Sequence, residues 1–208
     1  MTLHWELLRW AGRSIAFAWL LWAVVWVVMA LRTKPTLRRE GFGSGLAFRV
    51  PIVLSMLLLL LAKRTHLGMA LQASGTPWSW LFMRFIRFYP GVVFVGAPLT
   101  LLGIAFCFWA RFELAGNWSA SVALKQGHEL IQAGPYRLVR HPIYTGALVA
   151  VGGTACAIGQ WRGLLALALT FGAVWYRAGA EERLMTATFG DDYRRYQARV
   201  RRLIPFIL

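Results

Sequence analysis

The sequence predicts an all-α integral membrane protein with about five transmembrane helices. The last two form a tight hairpin, and an amphipathic cytoplasmic helix follows. Three observations carry this. Of the 208 residues, 58% are hydrophobic, with 11 Trp and a mean hydropathy of +0.53, well above the ordinary 45–50% or so of a soluble domain. The apolar residues gather into charge-poor runs. The 23 Lys and Arg, against 8 Asp and Glu, fall mainly between those runs. A net charge of +15 on a soluble chain would suggest nucleic acid; here it belongs to the water interfaces, and no nucleic acid partner is expected. Cys107 and Cys156 both lie in apolar runs, so neither a disulfide framework nor a metal cluster is expected.

The first run, 14–31, lies between Arg13 and Arg32 and reaches the lower limit of about 17–25 residues for a span. It exceeds the apolar core of a signal peptide, about 7–15 residues, and no small-residue cleavage site follows. A retained helix is expected. The second, 50–62, lies between Arg49 and Lys63 and spans only if those two snorkel or if 46–48 extend it. The third, 88–110, is free of charge; Pro90 suggests its start and Pro98 a kink. The fourth, 142–161, and the fifth, 163–176, are separated by Arg162 alone, which reads as a hairpin. The fifth then runs toward Gly179 and Glu182 and out into water.

With five spans, sixteen basic residues fall on the side holding 32–49, 111–141 and the tail from 177, and seven on the other. The positive-inside rule puts the larger set in the cytoplasm. The chain divides into N-terminal membrane helices, 1–110, and a region 111–208 whose polar stretches share that face.

Three stretches there carry chemistry. Gly134-Pro135-Tyr136-Arg137 leads into Arg140-His141-Pro142-Ile143-Tyr144-Thr145-Gly146, with Pro142 suited to the first turn of a helix. Arginines at a helix start suit a carboxylate or phosphate; they also suit a plain positive-inside cluster. Glu181-Glu182 stand side by side where few acids occur. They read either as an interfacial pair neutralised by Arg177 and Arg183, or as a receiver for a cationic or hydroxyl-rich ligand. Beyond Gly190, which can end a helix, Tyr193, Tyr196, Val200 and Leu203 recur every three or four residues among five arginines. That is a basic amphipathic helix ending near Pro205, suited to anionic lipid headgroups, whose tyrosines could also line a pocket.

Other features carry less. The sequon Asn117-Trp118-Ser119 falls on the cytoplasmic side. His4, His66, His128 and His141 lack ligand partners at metal spacing. Gly41-Phe42-Gly43-Ser44-Gly45 reads as a flexible loop, while Gly152, Gly153 and Gly159 favour close helix packing.

At these stretches the chain resembles the isoprenylcysteine carboxyl methyltransferase family and its prokaryotic relatives, integral-membrane enzymes that use S-adenosylmethionine. The resemblance rests on Arg140-His141-Pro142-x-Tyr144-x-Gly146, then a membrane hairpin, then Glu181-Glu182. Gly116-Asn117-Trp118-Ser119, Gly134-Pro135-Tyr136, Phe189-Gly190, Tyr193, Tyr196 and Ile204-Pro205 fit the surrounding pattern, over about 114–205. It implies that Tyr136, His141, Pro142, Tyr144, Gly146, Glu181, Glu182 and Tyr193 hold the cofactor. Arg140 would stand near the methyl acceptor, and if the acceptor needs a base, the Glu181-Glu182 pair (Glu181 foremost) or His141 would supply it. The cofactor would come from the cytosol and a lipophilic acceptor from the bilayer. A sterol-type reductase using NADPH and a non-enzymatic lipid-binding adaptor are the competing readings.

Overall fold

The computed structural model describes residues 2–31, 36–39, 42–60, 69–70, 73, 75–86, 90–118, 123–125, 127, 129–205 and 207. The elements are α1 (Thr2–Ala30), β1 (Thr36–Arg39), α2 (Phe42–Leu60), α3 (Pro90–Leu114), β2 (Ala123–Lys125), α4 (Pro142–Ile158), α5 (Trp161–Phe189) and α6 (Asp191–Arg199), with short 3-10 turns between some of them. Among the described residues, three helical stretches are long and apolar enough to cross a bilayer: Glu6–Ala30, Gly91–Asn117 and Trp161–Phe189. Gly45–Leu60 and Pro142–Ile158 are apolar but shorter.

The architecture is helical, as expected, with one short antiparallel pairing of β1 with β2 beside the helices. Three expectations are corrected. Residues 42–45, read as a loop, form the first turn of α2, so the weak second run gains length at its start; Gly41, residues 61–62 and Lys63 lie outside the described residues. Gly159 does not mediate packing: it adopts φ +63 and ends α4, the left-handed position that glycine takes without strain. Finally, α6 stops at Arg199 and Val200 is extended. The apolar face of this tail is turned inward, with Tyr193, Tyr196 and Leu203 all buried. Its exposed arginines Arg194 and Arg195 are paired with Asp191 and Asp192.

Glycine sets the core. A Cβ on Gly103 would lie 2.4 Å from the Ala150 nitrogen, and one on Gly96 would lie 2.6 Å from the Gly153 oxygen. Their counterparts on α4, Gly146 and Gly153, are equally closed by α3 backbone. Both pairs are seven residues apart, so α3 and α4 touch backbone to backbone over two turns, the contact that small residues permit. Gly103→Leu is therefore expected to cost more than the usual ~1–3 kcal/mol of overpacking, because backbone cannot rotate aside. A thermal unfolding curve in detergent checks this.

Hydroxyls satisfy one another across the bundle. Thr100 and Thr154 are 3.1 Å apart, and the Trp19 indole donates to Thr154 at 3.0 Å, tying α1 to α3 and α4. Ser55 of α2 meets Thr170 of α5 at 2.8 Å. Only Gly159 and Gln160 separate α4 from α5, and Gly163 sits against the Ala155 Cα. Arg162 is buried beside this turn, donating to Gln160 Oε1 at 2.6 Å and to the Leu58 and Leu59 carbonyls that end α2. The turn thereby brings the N-terminus of α4 alongside the distal half of α5.

Candidate functional site

The site is assembled where three segments meet. Gly134 takes φ +55, with the Glu113 carboxylate filling the space a side chain would need. The 3-10 turn Gly134–Arg137 then buries Tyr136, whose carbonyl accepts 2.6 Å from the Tyr196 hydroxyl of α6. Beyond α6 the chain runs parallel to this segment. Val139 bridges to Arg201, the Arg140 and His141 amides donate to the Arg201 and Arg202 carbonyls at 2.8 and 3.1 Å, and the Thr145 hydroxyl donates to the Leu203 carbonyl at 2.7 Å. This clasp holds the tail over the start of α4. Tyr196→Phe removes one neutral hydrogen bond, so a loss of about 0.5–1.5 kcal/mol is expected from denaturant unfolding.

The two glutamates have separate partners. Glu182 is the buried one, its side chain 6% exposed. It accepts from Arg140 at 2.7 and 2.9 Å, from Arg202 Nε at 3.1 Å, and lies 3.2 Å from His141 Nε2. Arg140 also donates to the carbonyls of Gln197 and Val200, which explains why α6 ends there. Arg202 lies over the Trp175 ring at 4.5 Å. Glu181 is 26% exposed and accepts 2.6 Å from the Tyr144 hydroxyl and 3.0 Å from Arg177 Nε, with His141 Nδ1 at 3.5 Å. The neutralising partners are thus Arg177 for Glu181, but Arg140 and Arg202, rather than Arg183, for Glu182.

His141 bridges the two carboxylates and stacks on Tyr144 at 5.5 Å and 13°. Burial alone would disfavour its imidazolium, yet the hydrogen bonds and charges of Glu181 and Glu182 outweigh that and raise its pKa above 6.5. Burial pushes the hydroxyls of Tyr136, Tyr193 and Tyr196 up, so they remain neutral donors.

These groups border a cavity of about 150 Å³. Tyr136, Arg140, His141, Pro142, Tyr144, Glu181 and Tyr193 all line it. Glu182 stands behind that wall, and Gly146 faces α3, where a Cβ would meet Cys107 Sγ at 2.7 Å. Gly146 therefore supports the site through helix approach. The remaining wall includes Tyr196, read from the sequence as able to line a pocket, and Trp118, Leu184 and Met185, which sequence reasoning did not single out as site residues. Leu184 and Met185 lie three and four positions after Glu181, hence on its helix face. Trp118 rests 4.5 Å from the Arg111 guanidinium, which also holds the Met29 carbonyl of α1 at 2.9 Å. Among the described residues no cluster of His, Cys, Asp and Glu could hold a metal. Chemically, the cavity offers an anionic edge at Glu181 among aromatic rings, suited to a cationic group beside a flat one.

Residues 92–192 match a family model described as phospholipid methyltransferase. Methanethiol S-methyltransferase 1 of Bradyrhizobium diazoefficiens is 41% identical over 71 residues, covering 34% of this chain and 24% of that protein. A protein-S-isoprenylcysteine O-methyltransferase of Schizosaccharomyces pombe is 32% identical over 101 residues, 47% of this chain and 43% of the other. A probable protein-S-isoprenylcysteine O-methyltransferase of Oryza sativa subsp. indica is 27% identical over 125 residues, 59% and 65% respectively. The chain spans less than two thirds of the length of each.

Proposed function

Because residues 92–192 match a family model described as phospholipid methyltransferase, we propose that the protein is a membrane-embedded methyltransferase moving a methyl group from S-adenosylmethionine to a lipophilic acceptor. One observation carries the reading above all. Helices α4 and α5 bring the 140–146 motif against Glu181, whose partly exposed carboxylate borders an aromatic cavity and is held by Tyr144, Arg177 and His141.

S-adenosylmethionine supplies a methyl group already activated on a sulfonium. The residues present suit it: Glu181 can receive its ammonium or ribose hydroxyls, and Tyr136, Tyr144 and Tyr193 can flank it. The cavity is below the roughly 300 Å³ of an ordinary ligand pocket, so binding is expected to widen it. The chain's own work is then orientation and exclusion of water. Arg140, placed near the acceptor by resemblance, directs its guanidinium to Glu182 and the end of α6; we assign it a positioning role. His141, held between two carboxylates, is poorly suited to take a proton. An acceptor arriving as an anion, such as a carboxylate, needs no base; a neutral amine or thiol leaves Glu181 to act as one. The basic bias of 32–49, 111–141 and 177–208 supports a cytoplasmic position for this site.

Thermal shift in detergent tests the reading. S-adenosylhomocysteine at one hundred times its dissociation constant is expected to stabilise the protein by about 2.7 kcal/mol, and NADPH not at all. Stabilisation by NADPH alone would favour the reductase, and by neither the adaptor. Labelled-methyl transfer to prenylcysteine analogues, lipid amines and thiols then identifies the acceptor class.

A further inference from the structure

The opposite end of the bundle holds a second cavity, of about 1110 Å³, between the N-terminal half of α1, the end of α2 and the last two turns of α4. It exceeds the usual range of roughly 300–1,000 Å³ for a small-molecule pocket. Its walls are mainly apolar, with Ile15, Leu20, Met56, Leu59 and Ile158 among them. Trp19 and Thr154 also line it, but they bond to each other at 3.0 Å, so they do not call for a polar ligand.

Its lining holds two cations, Arg9 and Arg13. Four residues apart on α1, they share one helix face. Arg9 pairs with Glu6 at 3.5 Å, with both side chains more than half exposed, and such a pair exchanges readily. Arg13 lies over Trp10 at 5.5 Å and has no carboxylate partner among the described residues. The groove touches α4 from Thr154 to Ile158, while the candidate site lies at Pro142. Sixteen residues at 1.5 Å each separate these ends by about 24 Å, most of the roughly 30 Å hydrocarbon thickness of a bilayer. The groove therefore opens toward the other leaflet.

Apolar walls of this size with two arginines together fit an amphiphile with an anionic head and a hydrocarbon chain. We propose that the groove binds one anionic phospholipid, its acyl chain between α1, α2 and α4 and its phosphate between Arg9 and Arg13. Charge selects the class: a zwitterionic lipid brings an ammonium to the same cations, and a sterol brings no anion. Such a lipid would brace the N-terminal half of α1, a helix whose apolar window is only 6% buried. Its other end is already held by the bond from Arg111 to Met29 and by Trp26 against Trp118 at 5.8 Å.

The test uses the full chain, delipidated in neutral detergent and titrated with phosphatidylglycerol. A saturable rise in unfolding temperature and one retained lipid per chain by native mass spectrometry are expected. Phosphatidylcholine with the same acyl chains should bind at least tenfold more weakly. Arg9→Gln/Arg13→Gln should bring phosphatidylglycerol down to that level. Gly12→Leu, at a groove-lining position where a Cβ meets nothing within 4 Å, should block the lipid without lowering the stability of the delipidated protein. Equal binding of both lipids overturns the proposal, as does an equal shift with inorganic phosphate. So does phosphatidylglycerol binding that survives the double arginine variant and disappears only when Arg194, Arg195 and Arg199 are replaced by Gln.

Discussion

Glu181→Gln is expected to weaken S-adenosylhomocysteine binding about 10- to 100-fold, measured by calorimetric titration in detergent. The substitution keeps the shape and the hydrogen bond from Tyr144 but removes the charge that a cationic or hydroxyl-rich ligand would meet. A hydrogen bond to a charged group contributes about 1.5–3 kcal/mol, which sets that range. Some stability should be lost as well, because the buried Arg177 loses the Glu181 counter-charge, but Arg177 keeps the Tyr144 hydroxyl at 2.9 Å, and affinity is compared in the folded variant. Unchanged affinity in a folded variant would remove Glu181 from the site.

Glu182→Ala should act on the fold instead. Two arginines and a histidine converge on this carboxylate, and its loss leaves buried cations without a counter-charge. Breaking a buried pair from one side costs about 3–5 kcal/mol. At about 2–4 °C per kcal/mol for a chain of this size, unfolding should fall by roughly 6–20 °C. The loss should depend on pH. His141 has a folded pKa raised above 6.5, so its contribution is complete below about pH 6.5 and disappears as the pH rises through the folded value. The gap between wild type and Glu182→Ala is therefore expected to narrow toward pH 9. A gap that widens from pH 6 to 9 would contradict a His141 pKa raised by Glu182.

The 140–146 and 181–182 stretches are legible in the sequence because their chemistry is local: a proline starts a helix, and acids stand out on a basic chain. Which glutamate faces the cavity is not legible. Adjacent residues on a helix diverge by about 100°, so only packing decides that Glu181 looks out and Glu182 in. The tail misleads for a related reason. Tyr193, Tyr196 and Leu203 have the period of a lipid-facing stripe, but apolar periodicity does not say whether lipid or protein covers it. The long-range pairing of Val139 with Arg201 leaves no local signal. Gly153 was readable as a packing glycine, whereas Gly159 differs only in its backbone angle.

The clasp between 139–145 and 201–203 has a consequence for the order in which the protein is made. Synthesis delivers α4 and α5 to the membrane before the tail exists. At that stage Glu182 has His141 and Arg140 but not Arg202, and the Arg140 and His141 amides have no carbonyls to meet. The clasp is therefore completed only once residues 200–203 have left the ribosome, and a nascent chain halted at residue 199 would carry the 140–146 and 181–182 motifs with the clasp still open.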